Sequence, residues 1–371
     1  MAVTPAPASY DVVVLPGDGI GVEVMDAGVA VLRAVAEPLG LRFDLAFHQA
    51  GAGAYKETGV AIADSVMTAA GDADAVLFGA MGLPDVRRDD GTEVAPQIDL
   101  RERFGLVAGV RPATLLPGIA PVLYAPKIDL VTVRESTEGL FAGRNDPPSA
   151  DPDVEHDRMT VTRAASETLF EVSFTLAAAR RRAGGPGRVT LFDKANVLKS
   201  QAFLRRIFDE VAERHPGIET ERIYVDAGVM MMVREPERFD VVVMENMFGD
   251  IVSDLAAGIT GGLGLAPSAD IGRDHAVFQP CHGSAPDIAG RDLANPVGMI
   301  LSVAMMLDWL GDRHQDTRCT DAARRVRTAV GDTLAAGTRT RDVGGTAGTT
   351  SFTEAVVAAL RPSPLTISRT P

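Results

Sequence analysis

An α/β fold of two domains flanking a cleft is what this sequence predicts, on three observations. Short β-branched runs recur, each ending in a glycine-rich or polar loop. Apolar-periodic stretches of helical length lie between them, the alternation that builds α/β layers. At 371 residues the chain is too long for one ordinary compact core. Hydrophobic residues are 46 % and charged residues 23 %, a normal globular balance, and no apolar run reaches the roughly 18 residues that span a bilayer. The formal charge of −14, from 36 basic and 50 acidic residues, argues against non-specific nucleic-acid binding. The N-terminal MAVTPAPASY lacks the basic start and apolar stretch of a signal peptide, so a cytoplasmic location is the expectation. Two cysteines, Cys281 and Cys319, cannot make a disulfide framework or a thiolate zinc site.

The elements follow in order. Tyr10–Leu15 is a β-branched strand that stops at PGDGIG and leads into a helix over 22–39. The pattern recurs: Ala75–Phe78 ends in GAMG, 128–133 in RESTEG, 189–192 in DKAN and 239–244 in ENMFGD. Further helices are expected at 166–183, 201–214 and 301–310. The Pro- and Asp-rich stretch 146–157 reads as an exposed arm, and 261–272 as a return crossing between domains.

Several loops carry residue types suited to chemistry. GDGIG, Gly17 to Gly21, is not a GxGxxG fingerprint, because its final glycine is misplaced and no acidic residue ends a second strand about 20 positions on. A standard Rossmann domain is therefore not expected; a tight turn needing glycine is. FGDIVSD places Asp250 and Asp254 four residues apart, on one face of a helix. Such pairs are usually solvated, yet this one follows an apolar strand and sits among small residues. Asp226, read at the end of a strand in IYVDAG, is a candidate third carboxylate. Hard oxygens of this kind suit magnesium or manganese rather than zinc. Arg101, Arg111 and Arg134 have the forked donors that hold carboxylates, whereas Arg103 and Arg180 to Arg182 read as solvated. Lys194 in FDKAN is either a base with a depressed pKa or half of an ion pair. HGSAPDIAG, His282 to Gly290, followed by Asn295-Pro296, is a loop whose backbone can approach a phosphate, or simply a turn-rich connection.

GDGIG, VRESTEG, DKAN, YVDA, FGDIVSDLAAG, LGLAPSA, HGSAPDIAG and NP, in that order, resemble the β-decarboxylating dehydrogenases. That family includes isopropylmalate, isocitrate, homoisocitrate and tartrate dehydrogenases, and the likeness spans about residues 10 to 360. It is nearest in kind to the isopropylmalate and tartrate members. The resemblance implies an isopropylmalate dehydrogenase-like fold. A large cofactor domain would comprise 1–106 plus 261–371, and a smaller substrate, metal and dimerisation domain 107–260, with an arm near 140–165. It further implies a homodimer with shared active sites. Arg101, Arg111 and Arg134 would bind substrate carboxylates. Asp226, Asp250 and Asp254 would hold Mg2+ or Mn2+, with Asp226 and Lys194 coming from the neighbouring subunit. His282, Gly283, Ser284, Ala285, Asp287, Ile288 and Asn295 would line the cofactor, and the acid at Asp287 favours NAD over NADP. The implied reaction oxidises a 2-hydroxy dicarboxylate: Lys194 helps remove the hydroxyl proton as hydride leaves for the nicotinamide, the β-carboxylate departs as carbon dioxide, and the resulting enolate is protonated.

Two positions depart from that pattern. Phe141 stands where the family carries a tyrosine thought to protonate the enolate, and phenylalanine has no proton to give. Either another group or water does so, or the reaction is slow or incomplete, or the chain is a non-catalytic paralogue. The segment GTEVAPQIDLR places Gln97 and Ile98, with Asp99 nearby, where the family faces the substituent on substrate carbon 3. Ile98 fits 3-isopropylmalate, whereas Gln97 fits a tartrate-, malate- or isocitrate-like acid.

Overall fold

The computed structural model of the chain describes residues 6–125 and 127–361. Its strands are β1 (Tyr10–Leu15), β2 (Phe43–Phe47), β3 (Ala75–Phe78), β4 (Ala108–Thr114), β5 (Asp129–Glu135), β6 (Arg188–Asp193), β7 (Glu219–Tyr224), β8 (Val241–Met244), β9 (Pro267–Ile271) and β10 (Ala276–Pro280). Around them lie helices α1 (Gly21–Ala36), α2 (Ala52–Thr58), α3 (Asp64–Asp72), α4 (Pro96–Phe104), α5 (Arg163–Arg182), α6 (Lys199–Ala212), α7 (Val225–Arg234), α8 (Asn246–Ile259), α9 (Val297–His314), α10 (Thr317–Ala335) and α11 (Thr349–Leu360). The expected strands appear within two residues of their predicted ends, and the expected helices within four.

The ten strands make one sheet in the order β2-β1-β3-β10-β9-β4-β5-β8-β6-β7. Its flanks are parallel, but β9 pairs antiparallel with both β10 and β4, and β4 runs antiparallel to β5. Both faces are covered, which explains continuous apolar runs in place of alternation. In β1, Val12 and Val14 join the core under α1, α9, α10 and α11, while Val13 and Leu15 join the opposite core that includes Leu100 of α4. In β8, Val241 and Val243 pack toward α5 and α6, and Val242 and Met244 toward α7 and α8. The apolar clusters thus divide between strands β1, β2, β3, β9 and β10, built from both ends of the chain, and β4 to β8, built from its middle. Residues 151–157 are exposed. Among the described residues no helix is long and apolar enough to cross a membrane.

One placement differs from expectation. Asp226 lies in the first turn of α7 and not at the end of a strand, because β7 stops at Tyr224, whose extended backbone (φ −65°, ψ 136°) caps the helix.

Candidate active site

Two connections carry the chain between the sheet halves, β3 to α4 to β4 and β8 to α8 to β9. A cavity of about 290 Å³ lies between them. Arg101 of α4, Arg111 of β4, Arg134 of β5 and Asp250 of α8 all line it, together with Gln97, Ile98, Phe141, His282 and Gly283. The three arginines and two specificity candidates singled out from sequence therefore share one concave site with the start of the glycine-rich loop.

Electrostatics set the form of the site. The Arg134 side chain is only 5 % exposed; its Nε donates to Asn246 Oδ1 at 2.9 Å and its Nη1 to Asp250 Oδ1. Arg111 donates to Ser253 Oγ at 2.6 Å and faces Asp250 at 3.8 Å and Asp254 at 3.5 Å. Burial, followed by the like charges of Arg101 and Arg111, pushes the Arg134 guanidinium down to about 10. The three guanidinium groups are crowded together and matched by Asp250, Asp254 and Asp270; the partly exposed Asp250 and Asp254 are the counter-charges that could turn to a cation and leave the arginines to an anionic ligand. The close approach of α8 to β5 depends on Gly249, where a Cβ would sit 2.6 Å from Arg134 Cβ.

Asp250 and Asp254 share one face of α8, with side chains 45 % and 56 % exposed. Burial, opposed by Arg111 and reinforced by Asp250, raises the Asp254 carboxyl above its ordinary value. Two hard carboxylates beside a cavity are suitable donors for a divalent cation, but among the described residues no group of three His, Cys, Asp or Glu is placed to hold one. Lys194 and Asp226 do not line the cavity; they pair with each other at 2.6 Å, and the lysine holds the exposed Asp226 carboxyl below its usual range.

The glycine-rich loop is fixed from beneath. The Ile20 N–H donates to the Ser284 carbonyl at 2.7 Å, and Gly19 (φ +55°) leaves no room for a Cβ, which would fall 2.1 Å from that oxygen. Ser284 donates to the Gly82 carbonyl. Ala285 and Ile288 pack partly on the core, and Asp287 is exposed. Asn295 donates to Asp342 at 3.0 Å and accepts from the Val297 N–H at 3.1 Å. His282 Nε2 is buried with no hydrogen-bond partner among the described residues, and space around Gly283 is open. A cofactor fits a loop with such an orphaned ring nitrogen and an accessible backbone. Burial holds the His282 imidazole below its ordinary pKa, so it is neutral at pH 7.

Three polar residues that support the site escaped the sequence reading. Asp18 ties three loops together by accepting from the N–H groups of Ala52, Gly53 and Gly82 at 2.7, 2.8 and 2.9 Å. Asn246 bridges Arg134 and the Glu138 carbonyl. Asp270, 1 % exposed, accepts from Arg101 Nε at 2.9 Å and from Gln279 Nε2 at 2.7 Å. A usable signal for Asp270 was its place as an acid within a buried strand, since such charges are seldom left unpaired. Replacing Asp270 by asparagine keeps the shape but leaves Arg101 without its counter-charge. For an anionic ligand held by Arg101, the expected result is a KM raised about 10- to 100-fold, with a stability loss of about 3 kcal/mol. Steady-state kinetics and thermal melts check this, and Asp270→Glu should recover most of the KM.

The sequence matches the isocitrate/isopropylmalate dehydrogenase family over residues 11–356. It is 41 % identical over 353 residues to the 3-isopropylmalate/3-methylmalate dehydrogenase of Methanocaldococcus jannaschii, covering 95 % of this chain and 99 % of that one. It is 42 % identical over 350 residues to the 3-isopropylmalate dehydrogenase of Archaeoglobus fulgidus, covering 94 % and 99 %. The fold matches the crystal structure of isocitrate dehydrogenase from Methylococcus capsulatus with a TM-score of 0.84 at 36 % identity, covering 95 % of this chain and all of that one. With a family match across nearly its whole length, a shared fold and relatives above 40 % identity, the chain belongs to the isocitrate/isopropylmalate dehydrogenases, the β-decarboxylating dehydrogenase enzymes.

Proposed function

We propose that this enzyme carries out NAD-dependent, divalent-metal-dependent oxidative decarboxylation of a 3-substituted malate, with 3-isopropylmalate as the first substrate to test. The observation that carries the reading is the convergence of Arg101, Arg111 and Arg134 on one cavity beside Asp250. Two domains, 1–106 with 261–371 and 107–260, would flank that cavity. Asp250 and Asp254, with Asp226 of a second copy, would hold Mg2+ or Mn2+, and the loop from His282 to Asn295 would hold NAD. When bound, the nicotinamide supplies a hydride acceptor and the cation a Lewis acid.

The protein's own groups do the rest. Arg101, Arg111 and Arg134 fix the two carboxylates, which orients the hydroxyl-bearing carbon. Lys194, also from the second copy, takes the hydroxyl proton, and Asp226 hydrogen-bonded to it steadies its position. Sharing between copies is supported by the absence of Lys194 and Asp226 from the cavity wall. It is supported too by the exposed apolar side chains near them and beside Asp250: Val197, Tyr224, Met230, Val233 and Ile251. A homodimer would bury them.

Phe141 lies under the Arg134 guanidinium, 5.3 Å from ring centroid to Cζ, and offers no proton. If protonation of the enolate limits turnover, Phe141→Tyr should raise the rate of carbon dioxide release about tenfold, at the modest end of general acid catalysis. An unchanged rate would place the limiting step elsewhere. One observation favours a second reading, in which the acid is of tartrate, malate or isocitrate type: Gln97 Oε1 is buried with no partner among the described residues. The test of the whole reading is NADH formation with manganese across 3-isopropylmalate, isocitrate, homoisocitrate, tartrate and malate, with carbon dioxide followed in parallel. Turnover with none of them would favour a non-catalytic paralogue.

A further inference from the structure

Lys194 and Asp226 stand on two different elements, the turn after β6 and the first turn of α7, yet their side chains meet at 2.6 Å. One guanidinium underlies both elements. Arg205 of α6 donates to both oxygens of Asp193, from Nε to Oδ2 at 2.6 Å and from Nη2 to Oδ1 at 2.7 Å. Asp193 ends β6 with its side chain wholly buried, and its Oδ1 also accepts from the Ala195 N–H at 2.9 Å. The fork therefore clamps the chain on either side of Lys194. The face of the same guanidinium lies against the Tyr224 ring, 5.2 Å from Cζ to the centroid. Tyr224 pairs with Asp193 in the β6–β7 ladder and caps α7 two residues before Asp226. A second point of contact holds α7 to β6: a Cβ on Gly228 would fall 2.5 Å from the Phe192 ring, so helix and strand approach as closely as glycine permits.

Resting on the reading in which Lys194 removes the hydroxyl proton in a neighbouring copy, we propose that Arg205 is a positioning residue for that step. Through Asp193 and Tyr224 it holds Lys194 and Asp226 in one geometry. Stability alone does not call for this arrangement. Taking a carboxylate wholly out of water is costly, and a well-packed apolar pair would join α6 to the sheet as well or better. What a planar fork adds is direction, because two parallel hydrogen bonds fix the carboxylate in one orientation. The turn that carries Lys194 is fixed with it. Proton transfer needs the base within hydrogen-bond reach of the hydroxyl, and a misplacement of about 1 Å costs about 100-fold.

The experiment measures kcat and KM with NAD and saturating manganese, using whichever of 3-isopropylmalate, isocitrate, homoisocitrate, tartrate and malate reacts fastest. Arg205→Leu should lower kcat about 100-fold and leave KM within about threefold, because the arginines that hold the substrate carboxylates are untouched. Arg205→Lys, a cation without the fork, should recover about tenfold of the lost kcat. Amide exchange of the protein alone should quicken at 194–198 and 225–228 in Arg205→Leu. Co-expression of Arg205→Leu and Asp250→Asn chains tests the sharing. If Arg205 serves its neighbour, half of randomly paired dimers are mixed, each with one site free of both changes, and about one quarter of the wild-type rate returns. An unchanged kcat in Arg205→Leu, whatever happens to KM or the melting temperature, overturns the inference and leaves the dehydrogenase reading intact. So does failure of that mixture where Lys194→Ala with Asp250→Asn recovers activity. No turnover of the wild type with any of the five acids overturns both.

Discussion

Asp250→Asn is expected to cut NADH formation to below about one-thousandth of the wild-type rate while the protein remains folded. The Asp250 carboxylate does two things that the amide cannot. It neutralises Arg134 and Arg111, whose guanidinium groups both face its Oδ1, and under the proposed function it is a hard anionic donor to the divalent ion. Loss of several kcal/mol of charge stabilisation at the reacting oxygen accounts for the factor, at about 1.4 kcal/mol for each tenfold. Its side chain is 45 % exposed, so solvent screens much of the charge imbalance and the stability change should stay near about 1 kcal/mol. Two measurements separate these effects. Turnover at saturating manganese reports the chemistry, and calorimetric titration with manganese alone should show affinity weakened at least tenfold. Retention of more than a tenth of the activity would sink the metal assignment.

The parts of this site that were legible in the sequence are those with local signals. Asp250 and Asp254 announce themselves by helical spacing after an apolar strand, and Gly19 by the turn it must make. The arginines were legible as residue types, but their convergence came from motif order, not from periodicity. Asp270 and Arg101 lie 169 positions apart, and no local pattern links them. The strands β4, β9 and β10 were also hidden. They contain Pro112, Pro267 and Pro280, and β4 meets its antiparallel partner β9 only across the sequence, with Ala108 opposite Ile271. Those strands carry Arg111, Asp270 and Gln279. The polar support under the arginines therefore became visible only once the sheet order was known. Asp226 was misread because a β-branched run continued past the point where the backbone had turned into α7.

Arg134→Met should lower kcat/KM about 10³-fold, chiefly through KM. Arg134 is the most enclosed of the guanidinium groups facing Asp250, and it meets three different demands. Its Nε satisfies Asn246, its Nη1 reaches Asp250, and its plane covers Phe141. Methionine fills much of the volume but supplies none of the donors. Under the proposed function, two charge-assisted hydrogen bonds to a substrate carboxylate, each about 1.5 to 3 kcal/mol, set the size of the loss. Stability is pulled in two directions. Removing one of three crowded cations relieves the burial of charge, and with it the repulsion from Arg101 and Arg111, that depress the Arg134 pKa, whereas Asn246 and Asp250 lose a partner. The second effect should prevail by about 1 to 2 kcal/mol, because an orphaned buried acceptor loses its full hydration. Arg134→Lys distinguishes charge from geometry: it restores the cation without the fork, and should recover about tenfold of the lost kcat/KM with KM still high. Equal activity in both variants would mean that the guanidinium plane, and not its charge, holds the substrate.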